Sequence, residues 1–134
     1  MAYGFNEDKS KYDFDNSVIL WEQTIPSRTY YFRTQTVTLN DDLENYKSIE
    51  VTFNTSSEGY TDPDNCYTTG KIPLKYCKNF HLSGINQYRS CSIESSNSIK
   101  FDGGMMIRHS NNAIATIGDN DQYAVPFKII GYKD

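Results

Sequence analysis

The chain has 134 residues and a formal net charge of −4, which fits one domain of ordinary size. Its longest uninterrupted apolar run, Val18-Ile19-Leu20-Trp21, is far shorter than the roughly 20 residues of a membrane-spanning helix. The first residues lack a cationic segment followed by an apolar one, and no block of lysine or arginine occurs. We therefore expect no membrane insertion, no cleavable secretion signal and no nucleic-acid partner.

The composition favours strands over helices. Aromatic residues make up 14% of the chain, including 11 Tyr and 7 Phe, and Thr is frequent. These residues suit the half-buried surface of a sheet, whereas the abundant Asn, Ser and Gly suit turns. Good helix formers are missing over any window of about 12 residues. The composition predicts an all-β protein.

The predicted elements follow a polar N-terminal arm, residues 1–16, which we expect to be ordered only if something holds it. Residues 17–134 are expected to form the folded domain. Its first strands are predicted at 18–24, 30–39 and 46–54. The third shows the clearest period-two alternation, which predicts one buried and one solvent-facing side. Its apolar positions are Ile49, Val51 and Phe53.

A turn-rich stretch, residues 54–70, is predicted to form a long surface loop. The preceding Asp41 and Asp42 are predicted to be turn and capping residues. A strand is expected at 71–77, and Pro73 marks it as an edge strand or a strand start because proline cannot donate to a ladder. The residues expected on one face of that strand are Ile72, Leu74 and Tyr76.

The rest of the chain alternates short strands with turn signals at regular spacing. Such spacing predicts an antiparallel β-sandwich, jelly-roll-like, with about eight to ten strands. Residues 79–84 are expected to form a short strand or a turn, and Asp102-Gly103-Gly104 a hairpin turn. The last strand is expected to be central except near Pro126. The other predicted strands are 88–95, 98–101, 105–109, 113–118 and 123–133.

No metal or cofactor is expected. Two turns carry paired carboxylates of the kind that hard cations prefer, namely Asp62 with Asp64 and Asp119 with Asp121. Neither has the spacing of an EF-hand loop, so solvated turn residues are favoured over a calcium site. No cysteine pair has zinc or redox spacing, and free thiols are predicted at Cys66, Cys77 and Cys91.

Catalysis is not expected either. Nucleophilic catalysis needs a nucleophile, an adjacent base and a group that orients the base. His81 and His109 are the only imidazole bases in the chain, and neither lies in a recognisable catalytic motif. We therefore predict that the protein is not an enzyme.

Ligand binding is the remaining chemistry that the sequence suggests, because loop aromatics beside polar side chains suit sugar rings. The first candidate cluster lies in the 54–70 loop and contains Tyr60, Asp62, Asp64, Asn65 and Tyr67. The second contains Asn86, Gln87, Tyr88 and Arg89. The alternative for each tyrosine is a ring folded back over the edge of the core. Trp21, among apolar neighbours, is expected in the core or a subunit interface.

Four segments of the chain carry a resemblance to a known group of proteins. They are the opening MAYGFNEDKSK, an early LW strand, the block QTVTLNDDLENYKSIEVTF and the terminal VPFKIIGYK. Together they resemble tail-associated receptor-binding domains, at the tips of tail fibres, of phages and prophages of Gram-positive bacteria. The resemblance covers most of residues 1–12, 18–55 and 122–133.

The resemblance implies a β-sandwich that recognises host cell-surface carbohydrate without catalysis. It further implies a homotrimer, other phage tail proteins as partners, and a place in the tail of the virion after synthesis in the bacterial cytoplasm. Two alternatives stay open. The first is a purely structural virion assembly or decoration module, and the second, with less support, is a small polysaccharide hydrolase.

Overall fold

The protein is described by a computed structural model, which covers residues 16–23, 32–55, 66–110, 113–117 and 123–134. One short 3-10 helix, η1 (Leu43–Asn45), precedes the third strand. The strands of this part of the chain are β1 (Ser17–Glu22), β2 (Gln35–Thr38), β3 (Ser48–Asn54), β4 (Cys66–Thr68), β5 (Ile72–Pro73), β6 (Asn79–Gly84), β7 (Gln87–Ser95), β8 (Ser98–Ser110), β9 (Ala113–Ile117) and β10 (Val125–Tyr132).

The strands form two antiparallel sheets. Sheet 1 has the order β1–β10–β3–β4, and β5 also pairs with β3. Sheet 2 has the order β2–β8–β7–β6, and β9 also pairs with β8. The two sheets pack against each other, so the predicted all-β antiparallel sandwich is confirmed. The last strand, β10, lies between β1 and β3, which confirms its predicted central position.

The core lies between the sheets and consists of apolar side chains from both. Trp21 on β1 is half-buried and joins this core across the sandwich, because its ring centroid lies 6.0 Å from that of Phe101 on β8. Phe32 meets Phe101 edge-on at 5.5 Å, a favourable aromatic geometry. The fully buried apolar residues include Leu20, Ile49, Val51, Phe53, Leu82, Ile99, Phe101 and Ile129.

Strand β3 differs from its prediction because both of its sides are covered. The apolar side faces the core as expected, but Ser48 and Thr52 on the other side are each only 7% exposed. Tyr132 on β10 lies directly opposite Ser48, and directly opposed side chains share a face. The Tyr132 hydroxyl also donates to Oε1 of Glu50 at 2.9 Å. The prediction that the polar side of β3 faces solvent is therefore wrong for Ser48 and Thr52.

The predicted hairpin turn at Asp102-Gly103-Gly104 is wrong, since β8 runs without interruption through these residues. In the pairing of β7 with β8, Cys91 lies opposite Phe101 and Arg89 lies opposite Gly104. One residue of β7 therefore faces two residues of β8, which defines a β-bulge. Glycine in a strand marks a bulge as well as it marks a turn, and the sequence pattern does not distinguish the two.

The predicted strand at 71–77 is also wrong in its length, because β5 ends at Pro73. The carbonyl oxygen of Pro73 accepts from the amide of Cys77 at 3.1 Å and closes a turn over residues 74–76. Tyr76 is 78% exposed, whereas Ile72 is buried. These two residues therefore do not share a face. The proline does mark a short strand that pairs with β3.

A close contact at Gly131 joins β10 to its neighbours. A Cβ atom added at Gly131 would lie 2.7 Å from Cδ1 of Tyr46 and 2.8 Å from Cδ1 of Leu20. Both neighbours are buried, so neither has free space to move into. Glycine at this position is required by packing.

We predict that Gly131→Ala lowers the free energy of unfolding by about 1–3 kcal/mol, because the added methyl overpacks the core. Denaturant titration measures the loss. Gly84→Ala is the matched control: its Cβ would lie 3.2 Å from Cγ2 of Thr55, a milder contact that should cost less. Equal stability of the two variants would contradict the packing argument.

Candidate functional site

Four of the eight predicted ligand-binding residues are described by the structure: Tyr67, Gln87, Tyr88 and Arg89. The other four, Tyr60, Asp62, Asp64 and Asn65, lie outside the described residues, as do Asp119, Asp121 and most of the predicted N-terminal arm. The four described residues come from the two separate candidate clusters. Their surroundings decide what each side chain is free to do.

Tyr67 and Gln87 lie near each other, as residues of one site would. A Cβ atom added at Gly84 would lie 3.2 Å from the ring of Tyr67, and Gly84 pairs with Gln87 across the β6–β7 hairpin. The Tyr67 ring, however, stacks on Phe53 with centroids 5.9 Å apart and is half-buried. The structure thus favours the alternative for Tyr67, a ring that packs over the edge of the core.

Gln87 uses both ends of its amide on the main chain. Its Nε2 donates to the carbonyl oxygen of Thr55 at 2.7 Å, and its Oε1 accepts from the amide of Ala124 at 2.9 Å. Ala124 is fully buried with φ of 46°, a conformation that costs energy for a residue with a Cβ. Gln87 therefore holds a strained segment, and each end of its amide already has a main-chain partner.

Arg89 is buried, with no exposed surface. Its Nη1 donates to two carbonyl oxygens, at 2.8 and 2.6 Å, while Nε and Nη2 donate to one each at 2.8 Å. The guanidinium carbon lies 5.4 Å from the centroid of the Phe32 ring, a cation–π distance. The placement does not favour the predicted ligand role, because the group is committed to the main chain. The four carbonyls belong to Phe32, Asp102, Tyr123 and Ala124.

We predict that Arg89→Met lowers the free energy of unfolding by about 3 kcal/mol or more, because buried carbonyl groups lose their donors. Arg89→Lys should recover only part of the loss, since an ammonium group has three donors at one point and no planar fork. Chemical denaturation of both variants measures the difference. An Arg89→Met protein as stable as the native one would refute a structural role.

Tyr88 lies on the solvent-facing side of sheet 2 beside His81. Their ring centroids are 6.5 Å apart in an edge-on arrangement, and Nδ1 of His81 lies 3.3 Å from Oγ of Ser90. A catalytic pair needs a third group to orient the imidazole. Among the described residues, no carboxylate is hydrogen-bonded to His81. The part of the cluster that the structure describes therefore shows a His–Ser contact without the orienting group of a triad.

A concave surface of the described chain lies elsewhere, at the opposite end of β7. It is an open cleft of about 810 Å³ between η1, the turn after β5 and the end of β7. We call it the Tyr76 cleft, after the exposed ring at its rim. Its apolar lining comes from Leu43, Tyr46, Pro73, Leu74, Cys77 and Ile93, and its charged lining from Glu44, Lys47, Lys75, Lys78 and Glu94.

Short-range hydrogen bonds build one wall of the cleft. Oδ1 of Asp42 accepts from the amide of Glu44 at 2.8 Å and caps η1. Oδ2 of Asp41 accepts from the hydroxyl of Tyr46 at 2.7 Å. The amide of Leu43 donates to the carbonyl of Ser96 at 2.6 Å, which joins η1 to the β7–β8 turn. The predicted turn and capping roles of Asp41 and Asp42 are confirmed.

The Asp41–Tyr46 hydrogen bond shifts the titration of both groups. Burial and the neighbouring Asp41 raise the pKa of Tyr46 to about 12. The pKa of Asp41 is lowered, chiefly by the hydrogen bond from Tyr46 and then by the one from the Asp42 amide. The pair is therefore most favourable with a neutral tyrosine and an ionised aspartate, the forms present near neutral pH.

We predict that the Tyr46 contribution to stability is fully present below about pH 10, the ordinary tyrosine pKa, and is lost as the pH rises towards 12. The sign follows because the folded state holds the phenolic proton more tightly than the unfolded state does. Denaturant titration from pH 8 to pH 12 should show a shallower fall for Tyr46→Phe. Parallel curves for the two proteins would contradict the assignment.

Sequence reasoning missed the Tyr76 cleft because it placed Tyr76 on a strand. The available signal was the run KIPLKYCK, in which Tyr76 lies between two lysines, three residues after Pro73. Proline ends the ladder, so the residues after it are free to turn outward. The cleft also depends on η1 and the end of β7, which are distant in sequence.

Among the described residues, no group of three or more His, Cys, Asp and Glu side chains could hold a metal ion. No helix within the described ranges is long and apolar enough to cross a membrane. Neither a protein-family model nor a curated protein matches the chain.

Proposed function

We propose that this chain is a non-catalytic binding module that recognises cell-surface carbohydrate through the Tyr76 cleft. The observation that carries the proposal is the position of Tyr76, which is 78% exposed at the rim of a cleft with an apolar floor. An aromatic ring in solvent beside a concave surface offers a plate for the apolar face of a sugar ring.

The lining of the cleft supports a carbohydrate over a purely apolar ligand. Leu74 and Ile93 of the apolar lining are half-buried, so they leave apolar surface open to a ligand. The charged residues around them, such as Glu44 and Glu94, are exposed and carry acceptors for sugar hydroxyl groups. A shallow site with an apolar base and a few polar groups at its edge matches the two kinds of surface on a sugar ring.

The setting that we propose for this activity is the tail of a phage of Gram-positive bacteria, as the sequence resemblance implies. A shallow site makes few contacts with one sugar, so single-site affinity is low. Several copies on one tail raise the avidity without new contacts, which supports the proposed trimer. Residues 1–16 would then serve for attachment to other tail proteins.

A second candidate function, a structural assembly module, is favoured by two exposed apolar side chains. Ile85 is 69% exposed and Ile19 is 47% exposed. Ile85 lies at the tip of the β6–β7 hairpin. Its φ of 54° is a strained conformation for a β-branched residue. Exposed apolar groups of this kind suit contacts with another protein.

We predict that Tyr76→Ala weakens binding to a cell-surface glycan by about tenfold or more, because the aromatic surface on which the sugar ring stacks is lost while the core is unchanged. Glycan-array screening of the native protein identifies the ligand, and titration compares the variants. The melting temperature should stay within a few degrees, because Tyr76 is exposed.

Tyr88→Ala is the matched control, since Tyr88 lies on sheet 2 away from the cleft, and its glycan affinity should be unchanged. If the protein binds no glycan on the array and forms a stable oligomer whose interface contains Ile85, the structural assembly role is supported and carbohydrate recognition is overturned. Cleavage of the bound glycan would overturn the proposal of a non-catalytic module.

A further inference from the structure

We propose that the ligand of the Tyr76 cleft is an anionic glycan, whose sugars carry carboxylate or phosphate groups that the lysines of the cleft bind. The inference rests on the proposed function and adds the charge of the ligand to it. Carboxylate and phosphate share one chemistry here, because both are oxyanions that accept hydrogen bonds from ammonium groups.

The charge around the cleft is opposite to that of the whole protein. The chain has 13 basic and 17 acidic residues and a net charge of −4. Residues 71–78 nevertheless contain three lysines and no acidic residue. Two of them, Lys75 and Lys78, line the cleft together with Lys47, and all three are exposed. The local charge thus favours an anion where the overall charge does not.

The acidic residues of the cleft offset these lysines only in part, because two glutamates and three lysines line it. Glu44 and Glu94 line the same cleft, yet within the described ranges neither forms an ion pair with a lysine of the cleft. An ion pair that the structure does show, between Lys100 and Asp102 at 3.8 Å, lies on sheet 2 outside the cleft. The ammonium groups of the cleft therefore keep their donors for a ligand.

One lysine lies over one face of the stacking ring itself. Nζ of Lys75 is 5.5 Å from the centroid of the Tyr76 ring, so a sugar stacked on the other face would place a charged substituent at the ring edge within reach of this ammonium group. Glu44 and Glu94 would repel the same substituent. An anionic sugar therefore has a preferred orientation in the cleft, with its charge towards residues 75–78 and its hydroxyls towards the glutamates.

The experiment measures the binding of three polymers of different charge: polygalacturonate, phosphomannan and neutral dextran. The test variant is Lys75→Gln combined with Lys78→Gln. The control variant combines Lys100→Gln with Lys128→Gln, which removes the same total charge outside the cleft. Titrations are carried out at low and at high salt, because ionic contacts at a protein surface are screened by salt.

We expect the native protein to bind at least one anionic polymer and to bind it about tenfold more weakly at high salt. The cleft variant should lose about tenfold in affinity at low salt, whereas the control variant should stay within about twofold. Binding of polygalacturonate alone identifies a carboxylate ligand, and binding of phosphomannan alone identifies a phosphate ligand. Either result supports the inference.

The contrary outcomes separate the inference from the proposed function. Binding of dextran that Tyr76→Ala abolishes and that the lysine changes leave intact would overturn the anionic ligand and keep carbohydrate recognition. Equal losses in the cleft and control variants would also overturn it, since total charge would then explain the binding. Absence of binding to any glycan, neutral or anionic, would overturn both proposals.

Discussion

The irregular parts of this sandwich depend on one buried guanidinium group, that of Arg89. It donates to the carbonyl oxygens of Phe32, which precedes β2, and of Asp102 on β8. It also donates to the carbonyl oxygens of Tyr123 and Ala124, just before β10. Carbonyls at a bulge or before a strand lack ladder partners, and burial would leave them unsatisfied at a cost. Burying a cation costs free energy, but the guanidinium group donates a hydrogen bond to each of these four carbonyl oxygens.

Strand β7 connects this buried network to the proposed binding site. Gln87 and Arg89, near its beginning, hold the segment before β10, and Ile93 and Glu94, near its end, line the Tyr76 cleft. Nine residues of strand span about 30 Å. The polar side chains that the sequence marked as binding groups thus secure one end of the molecule, while the other end presents the exposed ring. Both ends are positioned by one rigid element.

The sequence was informative where one interaction determined the structure. Apolar alternation identified the core side of β3, and Asp41 and Asp42 formed the expected turn and cap. It was misleading where a residue type serves two purposes: glycine at 103 and 104 forms a bulge, and Arg89 beside polar residues is buried. The Tyr76 cleft combines three distant segments. No local pattern specifies such a combination, since it depends on strand order.

The position of β10 has a consequence for how the protein reaches this fold. β10 separates β1 from β3, and the amide of Lys133 donates to the carbonyl of Asn16 at 2.9 Å just beyond the β1–β10 pair. Sheet 1 therefore cannot be completed during synthesis until the segment after residue 124 has emerged, although β3 pairs with β4 and β5 without it. Pairing β1 with β10 closes a loop of more than a hundred residues, which slows the formation of the complete sheet.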